Sequence, residues 1–170
     1  AARIGDARSA RRAAEITEDL AATRGTGWER WRQLPYDPMR RDHLTQIKSL
    51  VSTRRDRFET LLVLGIGGSA LGNIALQSAL NTPTWNLVPR EKRTGPRLLV
   101  LDNVDPDFVG AALDLVAESE GGLERTLVNV ISKSGETAET AAQFMTFRKA
   151  LADRLGAREH ADHVVAITDP

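Results

Sequence analysis

The chain has 170 residues, with 23 Lys+Arg against 23 Asp+Glu, 41% apolar and 27% charged, the composition of one soluble globular domain that needs neither metal nor disulfides to fold. It has no Cys, which excludes thiol catalysis, CxxC redox chemistry and Cys-ligated zinc. Zero net charge argues against broad electrostatic binding of nucleic acid or anionic membrane, and no apolar run makes a membrane span or a signal core, so the expected compartment is the cytoplasm.

The chain starts at Ala1 without Met and stops at Asp169-Pro170, which reads as a piece of a longer protein. Ser9 to Leu20 reads as a polar helix with Ile16 and Leu20 four apart. Arg8, Arg11 and Arg12 near its start are balanced by Glu15, Glu18 and Asp19, the pattern of a solvated face. Trp28, Trp31, Leu34 and Tyr36 then concentrate aromatic and apolar area in nine residues. Such a cluster can stack bases or sugars, but without a basic surround it reads as an arm packing onto a core. Asp42 is placed to cap a second helix, in which Leu44, Ile47, Leu50 and Val51 follow the spacing of one buried stripe.

From Thr60 the character changes. Leu61 to Ile66, Arg97 to Asp102, Thr126 to Ser132 and His163 to Thr168 are short apolar runs, each read as a buried parallel strand. Helices are predicted between them, over about 70–80, from the capping Asp105 and Pro106 through Val109, Leu113 and Val116, and over about 137–155. In the last of these, Ala141, Met145 and Leu151 are the inward candidates. This alternation predicts an α/β fold, a three-layer αβα sandwich on a doubly wound parallel sheet. No linker splits the chain into two globular domains, and residues 1–56 read as a helical arm ahead of a sheet domain over 57–170.

Two loops carry the chemistry. Gly65-Ile66-Gly67-Gly68-Ser69-Ala70-Leu71-Gly72 follows the first strand and leads into a helix, where glycines let the backbone approach a ligand and the helix N-terminus favours an anion. Gly65-x-Gly67-x-x-Ala70 meets the relaxed dinucleotide fingerprint, but Glu91 lies in a Pro/Arg/Lys-rich connection, and Asp102, at the end of the second strand, comes too far downstream. A phosphate-loop NTPase would need Gly-Lys-Ser/Thr where Gly72-Asn73-Ile74 stands. Ser132-Lys133-Ser134-Gly135-Glu136-Thr137 follows the third strand with three hydroxyls and one ammonium, donors suited to a phosphate. Its bland reading is an elaborate helix cap. In the strand order 2-1-3-4 both loops flank the crevice where the connection reverses, and one phosphate can meet both. Glu136 is discordant there and is expected to turn outward.

LGIGGSALG at 64–72 and SKSGETAET at 132–140, with WERWRQLPYD upstream and ITDP at the end, resemble the first sugar isomerase (SIS) domain of bacterial-type glucose-6-phosphate isomerases. The resemblance runs from about Trp28 to Pro170. It implies reversible interconversion of glucose 6-phosphate and fructose 6-phosphate through a cis-enediol, the chemistry of glycolysis and gluconeogenesis, without metal or organic cofactor. By the same resemblance Ser132, Lys133, Ser134 and Thr137 bind the phosphate, while Gly68 and Ser69 line the sugar. Ser134 stands where many relatives have Thr, which keeps the hydroxyl. The family's catalytic glutamate, histidine, lysine and arginine would follow Pro170, as would a fifth strand, so no catalytic residue is assigned here and the chain alone is expected to be inactive. The family is commonly homodimeric. His43, His160 and His163 match no catalytic motif of the family and are expected to be structural. Two other readings remain at this stage: a non-catalytic phosphosugar-sensing module of the same fold and, more weakly, dinucleotide binding.

Overall fold

A computed structural model describes residues 6–119 and 121–169, so Ala1 and the Pro170 of ITDP lie outside the described residues. The chain divides into two compact units, Ala1–Val51 and Ser52–Pro170.

The first unit contains α1 (Ala7–Ala22), a 3-10 run (Gly27–Tyr36) and most of α2 (Arg40–Arg54). Asp6 caps α1 by accepting from the Ser9 amide at 2.7 Å, and Arg11 and Arg12 both pair with Glu15 on an exposed face. Two expectations are corrected. Trp28 is 96% exposed, and Trp31, Leu34 and Tyr36 are also exposed, so the aromatic segment builds no core within its own unit. Its anchors are polar or cationic: Glu29 accepts from Thr23, Arg32 donates to the Leu20 carbonyl, and the Arg24 guanidinium lies 4.6 Å from the centre of the Tyr36 ring. In α2, Leu44, Ile47 and Val51 are exposed and only Leu50 is half-buried, so apolar spacing there marks a face without a buried stripe. Asp42 lies inside the first turn of α2 and does not precede it; Asp37 is the residue that accepts from the Met39 amide, at 2.8 Å.

The second unit is a parallel sheet of β1 (Thr60–Leu64), β2 (Arg97–Leu101), β3 (Thr126–Ile131) and β4 (Val164–Ile167) in the order 2-1-3-4. Thr60 stands beside Arg97 and Thr126, and Leu64 beside Leu101 and Val130, so β1 and β2 end level and β3 runs one residue further. Between the strands run α3 (Gly68–Leu80), α4 (Pro106–Glu118) and α5 (Ala138–Leu155). Right-handed crossovers put α3 on one face and α4 and α5 on the other, because the chain moves one way from β1 to β2 and the opposite way from β2 to β3 and β4. The three-layer sandwich follows. Leu62, Leu64, Leu101 and Val128 meet Ala112, Val116, Phe147 and Leu151 in the main core.

Asp105 caps α4 as its sequence signals, its Oδ1 accepting from the Phe108 amide at 2.9 Å with Pro106 in the first turn. The inward face of α5 differs from expectation. Leu151 is buried, but Ala141 and Met145 are exposed, and the buried stripe runs through Thr140, Gln143, Phe147 and Leu151. Counting back from Phe147 and Leu151 in steps of three or four reaches two polar residues, which a reading by hydropathy passes over. No helix among the described residues is long and apolar enough to cross a membrane.

Candidate ligand site at the carboxyl ends of β1 and β3

The loop after β1 is shaped by two glycines. A Cβ on Gly65 would lie 2.9 Å from the Ser69 Cβ, so only glycine lets the start of α3 fold back this closely over the strand end. Gly67 has φ 57° and ψ −119°, a conformation that L side chains avoid, and nothing lies within 4 Å of a Cβ built there. Its demand is conformational. The Ser69 amide donates to the Ile66 carbonyl at 3.2 Å, and the Ala70 and Leu71 amides donate to the Gly67 carbonyl at 3.0 and 2.9 Å. Gly67 and Gly68 stand exposed at the apex, with Ser69 half-buried beside them.

The loop after β3 is tied to the end of β4. The Ser132 amide donates to the Ile167 carbonyl at 3.0 Å, and the Lys133 carbonyl accepts from the Asp169 amide at 2.9 Å and the Thr168 hydroxyl at 3.4 Å. The ITDP string therefore has a mechanical role: its Thr168 and Asp169 hold the main chain of Lys133. Sequence spacing gave no sign of that contact.

Thr137 is the N-cap residue of α5, yet its side chain makes no capping bond to the helix. Its hydroxyl lies 3.0 Å from that of Ser132, which is 7% exposed. An elaborate cap would spend the Thr137 hydroxyl on the helix's own amides; here it joins a second hydroxyl across the loop and makes no bond to those amides. Ser134 is exposed, and its Oγ accepts from the Glu136 amide at 3.2 Å. Lys133 has an exposed side chain and, among the described residues, no ion pair, so its charge is not spent inside the chain. Glu136 is also exposed.

Because β1 and β3 are neighbours with their ends in register, the two loops rise side by side at the point where the chain's direction of travel reverses. Two helix N-termini, hydroxyls from four side chains (Ser69, Ser132, Ser134 and Thr137) and one ammonium are gathered there. That set suits a compact dianion with several acceptor oxygens.

The histidines with described contacts lie elsewhere. The His163 ring is 7% exposed, its Nδ1 is 2.9 Å from the Thr126 carbonyl, and it meets Phe58 edge-on at a centroid distance of 5.1 Å. His160 Nδ1 lies 3.2 Å from the Gly156 carbonyl.

Comparison with known proteins matches residues 41–169 to the family model described as phosphoglucose isomerase. A glucose-6-phosphate isomerase of Rubrobacter xylanophilus is 41% identical over 157 residues, 92% of this chain and 35% of that protein. One from Carboxydothermus hydrogenoformans is 38% identical over 137 residues, 81% of this chain and 28% of its own length. The chain thus spans about a third of the curated relatives it matches. Among solved structures, a hypothetical protein from Thermus thermophilus superposes with a TM-score of 0.73 at 33% identity, covering 96% of this chain and 35% of that one. A glucose-6-phosphate isomerase from Chlamydia trachomatis gives 0.60 at 32% identity, over 76% and 22%.

Proposed function

The chain belongs to the phosphoglucose isomerase family, and from that premise we propose that its β1 and β3 loops hold the phosphate and adjoining sugar in the reversible interconversion of glucose 6-phosphate and fructose 6-phosphate. The observation that carries this reading is the Ser132–Thr137 hydroxyl pair at the mouth of α5, beside a lysine with no internal ion pair among the described residues. Ser132, Lys133, Ser134 and Thr137 bind the phosphate, and Gly68 and Ser69 line the sugar.

The chemistry assigned to these residues is anchoring. A phosphate held by the ammonium, the hydroxyls and two helix N-termini fixes the far end of the substrate, and binding energy from that remote group holds C1 and C2 where a proton can pass between them. The proton transfer through the cis-enediol is assigned to residues from the remaining two thirds of such an enzyme, so this chain by itself binds without turning over. On this reading the whole protein is a cytoplasmic homodimer acting on sugar phosphates, with no nucleic-acid or membrane partner.

The test is affinity for glucitol 6-phosphate, an open-chain analogue with no carbonyl to isomerise. Lys133→Ala removes the loop's only cation, while Ser132→Ala and Thr137→Ala each remove one of several hydroxyls. A hydrogen bond to a charged group contributes about 1.5–3 kcal/mol, so each change is expected to weaken binding roughly 10- to 150-fold, with Lys133→Ala the largest. Glu136→Gln removes a nearby negative charge and should leave binding unchanged or slightly tighter. Normal binding by Lys133→Ala together with lost binding by Glu136→Gln would overturn the assignment.

A further inference from the structure

Gln143 lies on the inward stripe of α5, between Thr140 and Phe147, and is 2% exposed. An amide buried this deeply is costly unless it is paired. Its Nε2 donates to the Asn103 carbonyl at 2.7 Å and, more weakly, to the Leu101 carbonyl at 3.4 Å. Two carbonyls can be met only by the NH2 end, which fixes the orientation of the amide.

The acceptors matter more than the bonds. Leu101 is the last residue of β2, and its carbonyl also accepts from the Gly65 amide at 3.3 Å, the first residue of the glycine loop. Asn103 belongs to the turn leading to α4, where its Oδ1 accepts from the Asp105 amide at 3.0 Å. Gln143 itself stands less than two turns into the helix whose N-terminus closes the Ser132–Thr137 loop. One side chain therefore meets α5, the end of β2 and, through a shared carbonyl, the glycine loop.

We propose that Gln143 is a positioning residue for the sugar-phosphate site, an inference that rests on the function proposed above. By tying the Leu101 and Asn103 carbonyls to α5, it holds the glycine loop and the α5 N-terminus at one separation, so that a single phosphate can meet both. It touches no ligand itself. Simple core filling does not account for an amide here, because Met or Leu would fill the space without a desolvated acceptor, and the Gln143 Oε1 is buried without a hydrogen-bond partner.

The experiment titrates the chain with glucitol 6-phosphate and follows backbone and side-chain amide resonances by NMR. In the unmutated chain the Gln143 side-chain NH2 and the Gly65 amide should shift along one binding curve with the amides of residues 132–137. Gln143→Met should weaken binding about tenfold and speed hydrogen exchange at Gly65. Phe147→Leu, a packing change one turn along the same stripe, should lower overall stability while leaving affinity within about twofold of the original. Equal affinity loss in both variants would mean that Gln143 acts only through stability, and the proposal would fail. Normal binding by Gln143→Met would sink it as well. If that variant does not fold, the titration of the unmutated chain decides: loop shifts without any Gln143 shift count against the proposal. If residues 132–137 do not respond, the phosphate reading fails and this inference falls with it.

Discussion

At the amino ends of the strands, Glu59 is 6% exposed and its carboxylate meets three guanidiniums, Arg125 at 2.9 Å, Arg93 at 3.1 Å and Arg90 at 3.4 Å. At the carboxyl ends of β1 and β3, glycines and hydroxyls form loops that are exposed or half-buried except at Gly65 and Ser132, and the one lysine there has no ion pair among the described residues. The two ends of one sheet thus use charge in opposite ways. Below, one buried carboxylate is shared among three guanidiniums, and main-chain bonds fix where strands begin: the Glu59 amide donates to the Arg125 carbonyl and the Glu59 carbonyl accepts from the Arg97 amide, both at 2.7 Å. Above, the one ammonium has no ion pair among the described residues, which leaves it available to the proposed phosphate. A zero net charge is compatible with the proposed anion site, since that site would draw on helix dipoles and one ammonium without a basic surface.

Glu59→Gln should break that comparison most severely. It leaves the Arg93 side chain, 2% exposed, beside Arg90 and Arg125 without the carboxylate that offsets them. Burial, and then the neighbouring Arg97, already push the Arg93 guanidinium below its ordinary pKa. Removing one partner of a buried pair typically costs about 3–5 kcal/mol. Urea unfolding should show a loss of that order, whereas the fraction still folded should bind glucitol 6-phosphate as before. A parallel loss of affinity would mean that the two ends are not independent.

Gly67→Ala should have the converse effect at the upper end. A methyl group there meets nothing within 4 Å, so the penalty comes from holding φ at 57°, about 1–3 kcal/mol of strain stored in the loop. If the loop relaxes, the strain is relieved at the expense of its ligand geometry. The expected outcome is a modest fall in melting temperature with a larger proportional fall in affinity. Gly65→Ala provides the contrast, because its Cβ would press on Ser69 at 2.9 Å and stability should suffer first.

The upper end was far more legible in the sequence than the lower. Its candidate residues lie in two contiguous strings, and four short apolar runs separated by helical stretches pointed to a doubly wound parallel sheet, while the order 2-1-3-4 entered as the order of the domain the chain resembles and is the one observed. Asp105-Pro106 marked a helix start for local reasons that survive folding. Glu59, Arg90, Arg93 and Arg125 are scattered along the chain, and charged residues read singly look like solvated surface; the β1–β3 pairing sets Glu59 beside Arg125, and the 3-10 turn ahead of β2 brings in Arg90 and Arg93. Gln143 escaped notice because its partners are main-chain carbonyls some 40 residues away, which no side-chain pattern records. The first unit misled in the other direction: helical spacing at Leu44, Ile47 and Val51 promised burial, and the side chains are exposed.

The smallest effect should come from the same kind of ion pair with the opposite burial. Glu124 Oε1 accepts from Arg154 Nε at 2.6 Å, but both side chains are substantially exposed, at 43% and 63%. The Glu124 carboxyl lies below its ordinary pKa of 4.5, first because its own backbone N–H donates to it and then because of the Arg154 guanidinium. A carboxyl with a lower pKa folded than unfolded takes up its proton more readily in the unfolded chain, so its contribution is present above the ordinary value and is lost as pH falls through the folded value. Glu124→Gln should therefore melt slightly below the original chain at neutral pH, with the gap closing under acidic conditions. Since exposed pairs are screened, added salt at neutral pH should also narrow it. Glu59→Gln, by contrast, should keep most of its deficit in salt. Equal salt sensitivity in the two variants would show that burial does not separate these ion pairs as argued.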